Sequence, residues 1–119
     1  MIISGARGGA GRACHHEGMR RDLLSAEELE AALPGIPEWR PADGRLRRTV
    51  VCPSFRDAIE LVRRVADVAE ELDHHPDIDI RYRTVHLTLW THDRGGVTEF
   101  DLEAARRIDR LLAADSGNG

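Results

Sequence analysis

Between Phe55 and Leu72 apolar residues recur at Phe55, Ala58, Ile59, Val62, Val65, Ala66, Ala69 and Leu72, separated along the stripe by three and four. That spacing lines one side of a 3.6-residue helix and predicts a long amphipathic helix with one buried stripe. Arg63, Arg64, Asp67, Glu70 and Glu71 fall on its outer face, and Ser54 stands where an N-cap belongs. The helix is expected to stop near His74-His75, because Pro76 disfavours the helical conformation for the residue before it. Beyond the proline the period changes to two. Ile78, Ile80 and Tyr82 alternate with Asp79 and Arg81, and Val85, Leu87 and Leu89 alternate with His86, Thr88 and Trp90. Each run predicts a strand with one apolar and one polar side.

The flanking segments carry clear punctuation. Ser25-Ala-Glu-Glu28 has the form of a capping box and opens a short helix, Ala26 to Leu33, that stops at Pro34-Gly35. Trp39 to Ala42 and Arg45 to Val51 read as a hairpin around Asp43-Gly44. Asp93-Arg-Gly-Gly96 is a turn, and Thr98 caps a last helix with Phe100, Ala104, Ala105, Ile108, Leu111 and Leu112 inside. The order of helix, hairpin, long helix, two strands and helix predicts an α+β domain over residues 21–114. It would be a four-stranded antiparallel sheet with three helices packed on one face. The side bearing Val85, Leu87 and Leu89 should meet the helices. The side bearing His86, Thr88, Trp90 and His92 should stay open to solvent, a ligand or a second subunit. Residues 1–20, rich in Gly, Arg and Ala, are expected to be a disordered leader, and 115–119 a frayed tail.

Composition narrows the function classes. With 119 residues there is room for one domain. The net charge of −4, carried without any lysine, makes direct nucleic-acid binding a poor fit. No apolar run approaches the roughly 20 residues that span a bilayer. Cys14 and Cys52 match no Cys-x-x-Cys spacing, so no disulfide framework is expected and a reducing cytoplasm fits best. The start of the chain lacks an apolar core, so no secretory signal is expected there. Its glycines, Gly5 to Gly11, lack the preceding strand and following Gly-Lys-Ser/Thr of a phosphate loop.

The candidate chemistry lies in histidines. Four of the six fall between positions 74 and 92: His74 and His75 at the end of the long helix, His86 and His92 on the following strand and its extension. If the chain folds back, His92 can approach the pair. A catalytic zinc often uses three protein ligands. Adjacent histidines point in different directions, however, and no His-x-x-x-His spacing occurs. Imidazole can also give and take protons near neutrality without a metal. Asp73 and Glu70 stand near enough in sequence to orient such a ring. A plainer reading has His74 and His75 merely complementing the negative end of the helix dipole, and His86 as a sheet-surface residue. His15 and His16 lie in the expected leader and are assigned no role.

The run Glu70-Glu-Leu-Asp-His-His-Pro76 is followed by Tyr82-x-x-Val85-x-Leu87-x-Leu89-x-Thr-His-Asp93 and Gly95-Gly-Val-Thr98. Together these resemble the pterin-4a-carbinolamine dehydratases, over roughly Leu24 to Leu112. The family's usual aromatic residue after His-His-Pro-x is Ile78 here. The resemblance implies a hydro-lyase that converts 4a-hydroxytetrahydropterin to quinonoid dihydropterin during tetrahydropterin recycling, with no metal and no cofactor. It implies catalytic roles for His74, His75 and His92. It also implies substrate contact along Asp73, His74 and His75 and along Trp90, Thr91, His92 and Asp93; Glu70 is a supporting residue by its nearness in sequence alone. A homodimer or homotetramer, and a functional link to an aromatic amino acid hydroxylase, follow from the same likeness. Two alternatives stay open: a non-catalytic dimerisation module of the same fold, and a role in another pterin pathway such as molybdopterin metabolism.

Overall fold

The computed structural model of the chain describes residues 2–3 and 22–116. The elements run in the order β1 (Ile2–Ile3), α1 (Ala26–Ala32), a 3-10 turn (Leu33–Gly35), β2 (Arg40–Ala42), β3 (Arg45–Val51), α2 (Phe55–Leu72), β4 (Asp77–Arg81), β5 (Thr84–Leu89) and α3 (Glu99–Ser116). The α+β class and the antiparallel sheet of four strands, β2 to β5, are as the sequence predicts. A fifth, two-residue strand was not foreseen. Ile2 and Ile3 pair with Asp79 and Ile78, so the sheet order is β1-β4-β5-β3-β2. That pairing departs from the expectation of a disordered leader. The other residues of that segment, with Cys14, His15 and His16, lie outside the described residues. At the other end, α3 continues to Ser116, beyond the expected start of the tail.

Local chemistry accounts for the element ends. The Ser25 hydroxyl accepts from the Glu28 N–H at 3.0 Å, and Glu28 Oε1 accepts from the Ser25 N–H at 2.9 Å, closing the capping box. Asp43 and Gly44 both adopt positive φ, 54° and 74°, as a two-residue hairpin turn requires. Tyr82 departs from its predicted place in a strand. It sits in the turn between β4 and β5 with φ 56° and is 73% exposed. The turn needs a left-handed residue where alternation alone suggested another extended one.

Register fixes the two faces of the sheet. Leu46 opposes Leu89, Val50 opposes Val85, Ile78 opposes Leu87 and Ile80 opposes Val85, so these side chains share one apolar face. The core joins that face to Leu61, Val65 and Leu72 of α2 and to Leu102, Ala105 and Ile108 of α3. The opposite face presents exposed Arg47, Thr49 and His86. In the core-side layer, Asp109 accepts from the Trp39 indole N–H at 2.7 Å and pairs with Arg48 Nη1 at 2.5 Å, which partners the indole and one end of the guanidinium that the hairpin carries inward.

The buried stripe of α2 is rotated from the predicted one. Ala58, Leu61, Val65, Val68, Ala69 and Leu72 face inward. Phe55 and Ile59 are 48% and 37% exposed, and Ala66 is exposed as well. The apolar arc of this helix is wider than the core it packs on, and its outer edge runs through Phe55, Ile59, Val62 and Ala66.

Candidate active site

The helix α2 ends by a left-handed residue rather than by the proline. Asp73 takes φ 50° and ψ 43°. The Asp73 and His74 N–H groups then close on the carbonyls of Glu70, at 3.3 Å, and Ala69, at 3.0 Å. This double closure satisfies the last helical carbonyls and turns the chain sharply. Consequently His74 and His75 lie just past the helix instead of on it, in the link to β4. Pro76 is buried and fixes the start of the strand.

His74 is the more enclosed of the pair. Its Nε2 lies 2.5 Å from Asp101 Oδ1, with the His74 side chain 12% exposed and that of Asp101 fully buried. Asp101 Oδ2 accepts from the Thr91 hydroxyl at 2.9 Å and from the Thr98 N–H at 2.9 Å. The hydroxyls of Thr91 and Thr98 are 2.7 Å apart, and the Thr98 hydroxyl accepts from the Phe100 N–H at 3.2 Å. Thr98 and Asp101 thus form the N-terminal cap of α3 while Asp101 reaches the histidine. As an acceptor, the carboxylate places the proton of His74 on Nε2 and leaves Nδ1 as the other ring nitrogen. The Phe100 ring lies 5.8 Å from the imidazole, tilted by 41°.

His75 pairs with Glu70, Nε2 to Oε2 at 2.7 Å, across the end of the helix. His92 occupies the turn after β5, which is closed by the pairing of Thr91 with Gly96 and by the left-handed Gly95, φ 72°. Its Nε2 is 3.8 Å from Asp77 Oδ1, two residues beyond His75. Its ring stacks on Trp90 at 4.1 Å. Each of the three histidines therefore faces its own carboxylate: Asp101, Glu70 and Asp77. Thr91 and Asp77 connect the two halves of the site, Thr91 through Asp101 to His74 and Asp77 through its place beside His92. No hydrogen bond or ring contact joins the His92 ring to those of His74 or His75 among the described residues. Nor do three His, Cys, Asp or Glu side chains among them converge as a metal ion would require.

The other candidates divide. Glu70 lies against His75, at 2.7 Å from its Nε2. Asp73 is exposed and serves the backbone bend, and Asp93 is exposed in the turn. The Thr91 side chain is buried, 7% exposed, with its hydroxyl committed to Thr98 and Asp101. His86 lies on the open sheet face, 3.0 Å from the Thr49 hydroxyl across the strand pair. Asp101 and Asp77 were not singled out by sequence reasoning. Thr98-x-x-Asp101 has the spacing of a helix cap, which points to Asp101 as a structural acceptor but gives no hint of His74.

Known proteins share both the sequence and the fold of this chain. Residues 22–111 match the family model described as Pterin 4 alpha carbinolamine dehydratase. A protein of Mycolicibacterium smegmatis is 55% identical over 91 residues, 76% of this chain and 97% of the relative. One of Nocardia farcinica is 50% identical over 93 residues, 78% of this chain and 98% of the relative. Both are provisionally named pterin-4-alpha-carbinolamine dehydratase. Among solved structures, the transcriptional coactivator/pterin dehydratase from Brucella melitensis superposes with a TM-score of 0.72 at 33% identity, covering 76% of this chain and 98% of that one.

Proposed function

The chain belongs to the pterin 4 alpha carbinolamine dehydratase family, and from that membership we propose that it dehydrates 4a-hydroxytetrahydropterin to quinonoid dihydropterin. The observation that carries this reading is the set of three imidazoles, His74, His75 and His92, each set against a carboxylate at the end of α2 and the turn after β5.

The chemistry asked of the site is small. The substrate carries a hydroxyl on C4a and a hydrogen on N5. A proton goes to the hydroxyl, the C4a–O bond breaks with loss of water, and the proton on N5 leaves as the C4a–N5 double bond forms. One acid and one base suffice. His74 and His92 carry these two proton transfers, and His75 positions the pterin or assists. Asp101 holds His74 by Nε2, so that Nδ1 is the nitrogen presented to substrate. The segments Asp73 to His75 and Trp90 to Asp93 contact the pterin. General acid–base help of this kind is worth typically ~10²–10⁴-fold, enough for a carbinolamine that already loses water slowly unaided. The reaction needs no cofactor, and the enzyme works in the cytoplasm beside an aromatic amino acid hydroxylase that supplies the carbinolamine.

Assembly into a homodimer or homotetramer is part of the same reading. The outer stripe of α2, with Phe55 48% and Ile59 37% exposed, supports it as an apolar surface that the core leaves uncovered. The name of the Brucella melitensis neighbour also includes coactivator, which keeps a second reading in play: a binding module that associates through such a surface.

A single assay separates the two. The 4a-carbinolamine is generated with a hydroxylase, and its decay is followed at alkaline pH, where the unaided reaction is slow. The dehydratase reading expects decay to accelerate in proportion to added protein, with or without a chelator. A rate equal to the unaided one would contradict it and favour the binding module. Loss of turnover to the chelator would restore the metal reading.

A further inference from the structure

Trp90 stands at the crossing of three contacts on the polar face of the sheet. The ladder sets Leu46 against Leu89 and Asp77 against Thr88. One more step along it puts Arg45 across from Trp90 and makes Asp77 the diagonal neighbour of Trp90. The side chains use that placement. Trp90 Nε1 donates to Asp77 Oδ2 at 3.0 Å, and the Arg45 guanidinium lies 4.2 Å from the indole centroid. The His92 ring stacks on the indole at 4.1 Å, with 25° between the planes.

His92 needs such a support more than His74 does. Its side chain is 45% exposed, against 12% for His74. At 3.8 Å its contact with Asp77 is too long for a direct hydrogen bond, so that contact alone does not fix the ring. An imidazole this exposed is free to change rotamer unless a neighbour restrains it. The indole is that neighbour, and it is itself pinned by Asp77 and covered by Arg45. Stacked aromatic pairs and a cation on an indole face are each favourable contacts beyond the area they bury.

We propose that Trp90 is the positioning residue for His92, and that Asp77 positions Trp90 in turn, so that the indole side chain serves the reaction through the imidazole. This rests on the reading of His92 as a proton carrier. A misplacement of about 1 Å at a reacting group can cost on the order of 10²-fold in rate, so the loose histidine is the one whose holder matters.

The test combines a physical and a kinetic readout on the full chain. In the wild type, proton NMR should show the His92 ring protons shifted upfield by the indole and cross-relaxing with it. Trp90→Leu should abolish both signatures and lower kcat by about tenfold or more, beyond any change in KM from the indole's own contact with the pterin. Trp90→Phe, which keeps a ring to stack on, should recover part of the shift and part of kcat. Asp77→Ala should weaken the shift, whereas Asp77→Asn, which keeps an oxygen for the indole N–H, should retain most of it. Folding of each variant is checked by circular dichroism. If Trp90→Leu does not fold, Trp90→Phe and the Asp77 pair still decide the matter. An unchanged His92 ring shift or kcat in folded Trp90→Leu, or an unchanged ring shift in folded Asp77→Ala, would overturn the proposal. A wild type that shows the stack but does not accelerate dehydration would instead overturn the dehydratase reading, and the ring shifts would still decide whether Trp90 holds His92.

Discussion

His74 and Asp101, 27 positions apart in sequence, meet at 2.5 Å between Nε2 and Oδ1, and this contact ties the link after α2 to the first turn of α3. Asp101 is fully buried and also takes the Thr91 hydroxyl and the Thr98 N–H. One carboxylate therefore caps a helix and sets the tautomer of a histidine. Asp101→Asn should disturb both. Its amide can present an N–H to Nε2 and turn the ring to the other tautomer. Activity is expected to fall by roughly 10–100-fold, as for other carboxylates that orient a working imidazole. The pH–rate profile of the variant, compared with that of wild type, checks this. A profile and rate equal to wild type would mean that Asp101 serves the cap alone.

Asp73 gives a prediction about backbone rather than charge. Its φ of 50° is left-handed, a conformation that costs an ordinary side chain about 1–2 kcal/mol and a branched one at least that. Asp73→Val should lower the unfolding free energy by about 1–2 kcal/mol, while Asp73→Gly should stay within about 0.5 kcal/mol of wild type. Denaturant midpoints at constant m-value measure the difference. Should Asp73→Gly stay stable yet lose turnover, the carboxylate itself meets the substrate.

Glu103 on α3 supplies a pH dependence of stability. Burial pushes its carboxyl up. The hydrogen bond from Arg107 and the charges of Arg107, Arg110 and Arg106 outweigh that effect and hold it below the ordinary carboxylate value. A carboxylate depressed on folding contributes stability that is full above its unfolded pKa and is lost as pH falls through the folded one. Glu103→Gln should therefore cost stability at neutral pH. The gap to wild type should close below about pH 4.3, the ordinary glutamate value. Urea unfolding at several pH values follows the gap, and a constant difference down to the acid limb would refute the assignment.

The outer stripe of α2 predicts an effect on assembly. Phe55→Arg with Ile59→Arg places charge on residues that are 48% and 37% exposed in the single chain. The monomer fold should survive, since surface changes of this kind stay within about ±0.5 kcal/mol. The sedimenting mass should drop. An unchanged mass would place the subunit contact elsewhere, for instance along a sheet edge.

Much of this fold was legible because single residues enforce it. Ser25 and Glu28 can hardly do other than cap a helix, and Asp43-Gly44 can supply the two left-handed residues of a tight hairpin. The alternation of Val85, Leu87 and Leu89 told the two sheet faces apart, and with them the side on which Trp90 would lie. What stayed hidden depends on contacts between distant parts of the chain. The apolar arc of α2 spans both Leu61-Val65-Val68 and Phe55-Ile59-Ala66, and only docking on the sheet chooses the first. Tyr82 continues the strand alternation and yet occupies a turn, because Arg81 and Thr84 pair across it. The pairing of Ile2–Ile3 with β4 has no local cue at all. At the site, the histidines announced themselves by type and spacing, whereas Asp101 and Asp77 did not. A carboxylate becomes a partner for an imidazole only when the chain has brought the two together.

The most direct test of the central claim compares wild type, His74→Ala and His92→Ala in the decay of the 4a-carbinolamine at alkaline pH, with folding of each variant verified. If these two rings carry the proton transfers, wild type should accelerate the loss of water and each variant should lose about 10²-fold or more of that acceleration. Folded variants that match wild type would contradict the claim.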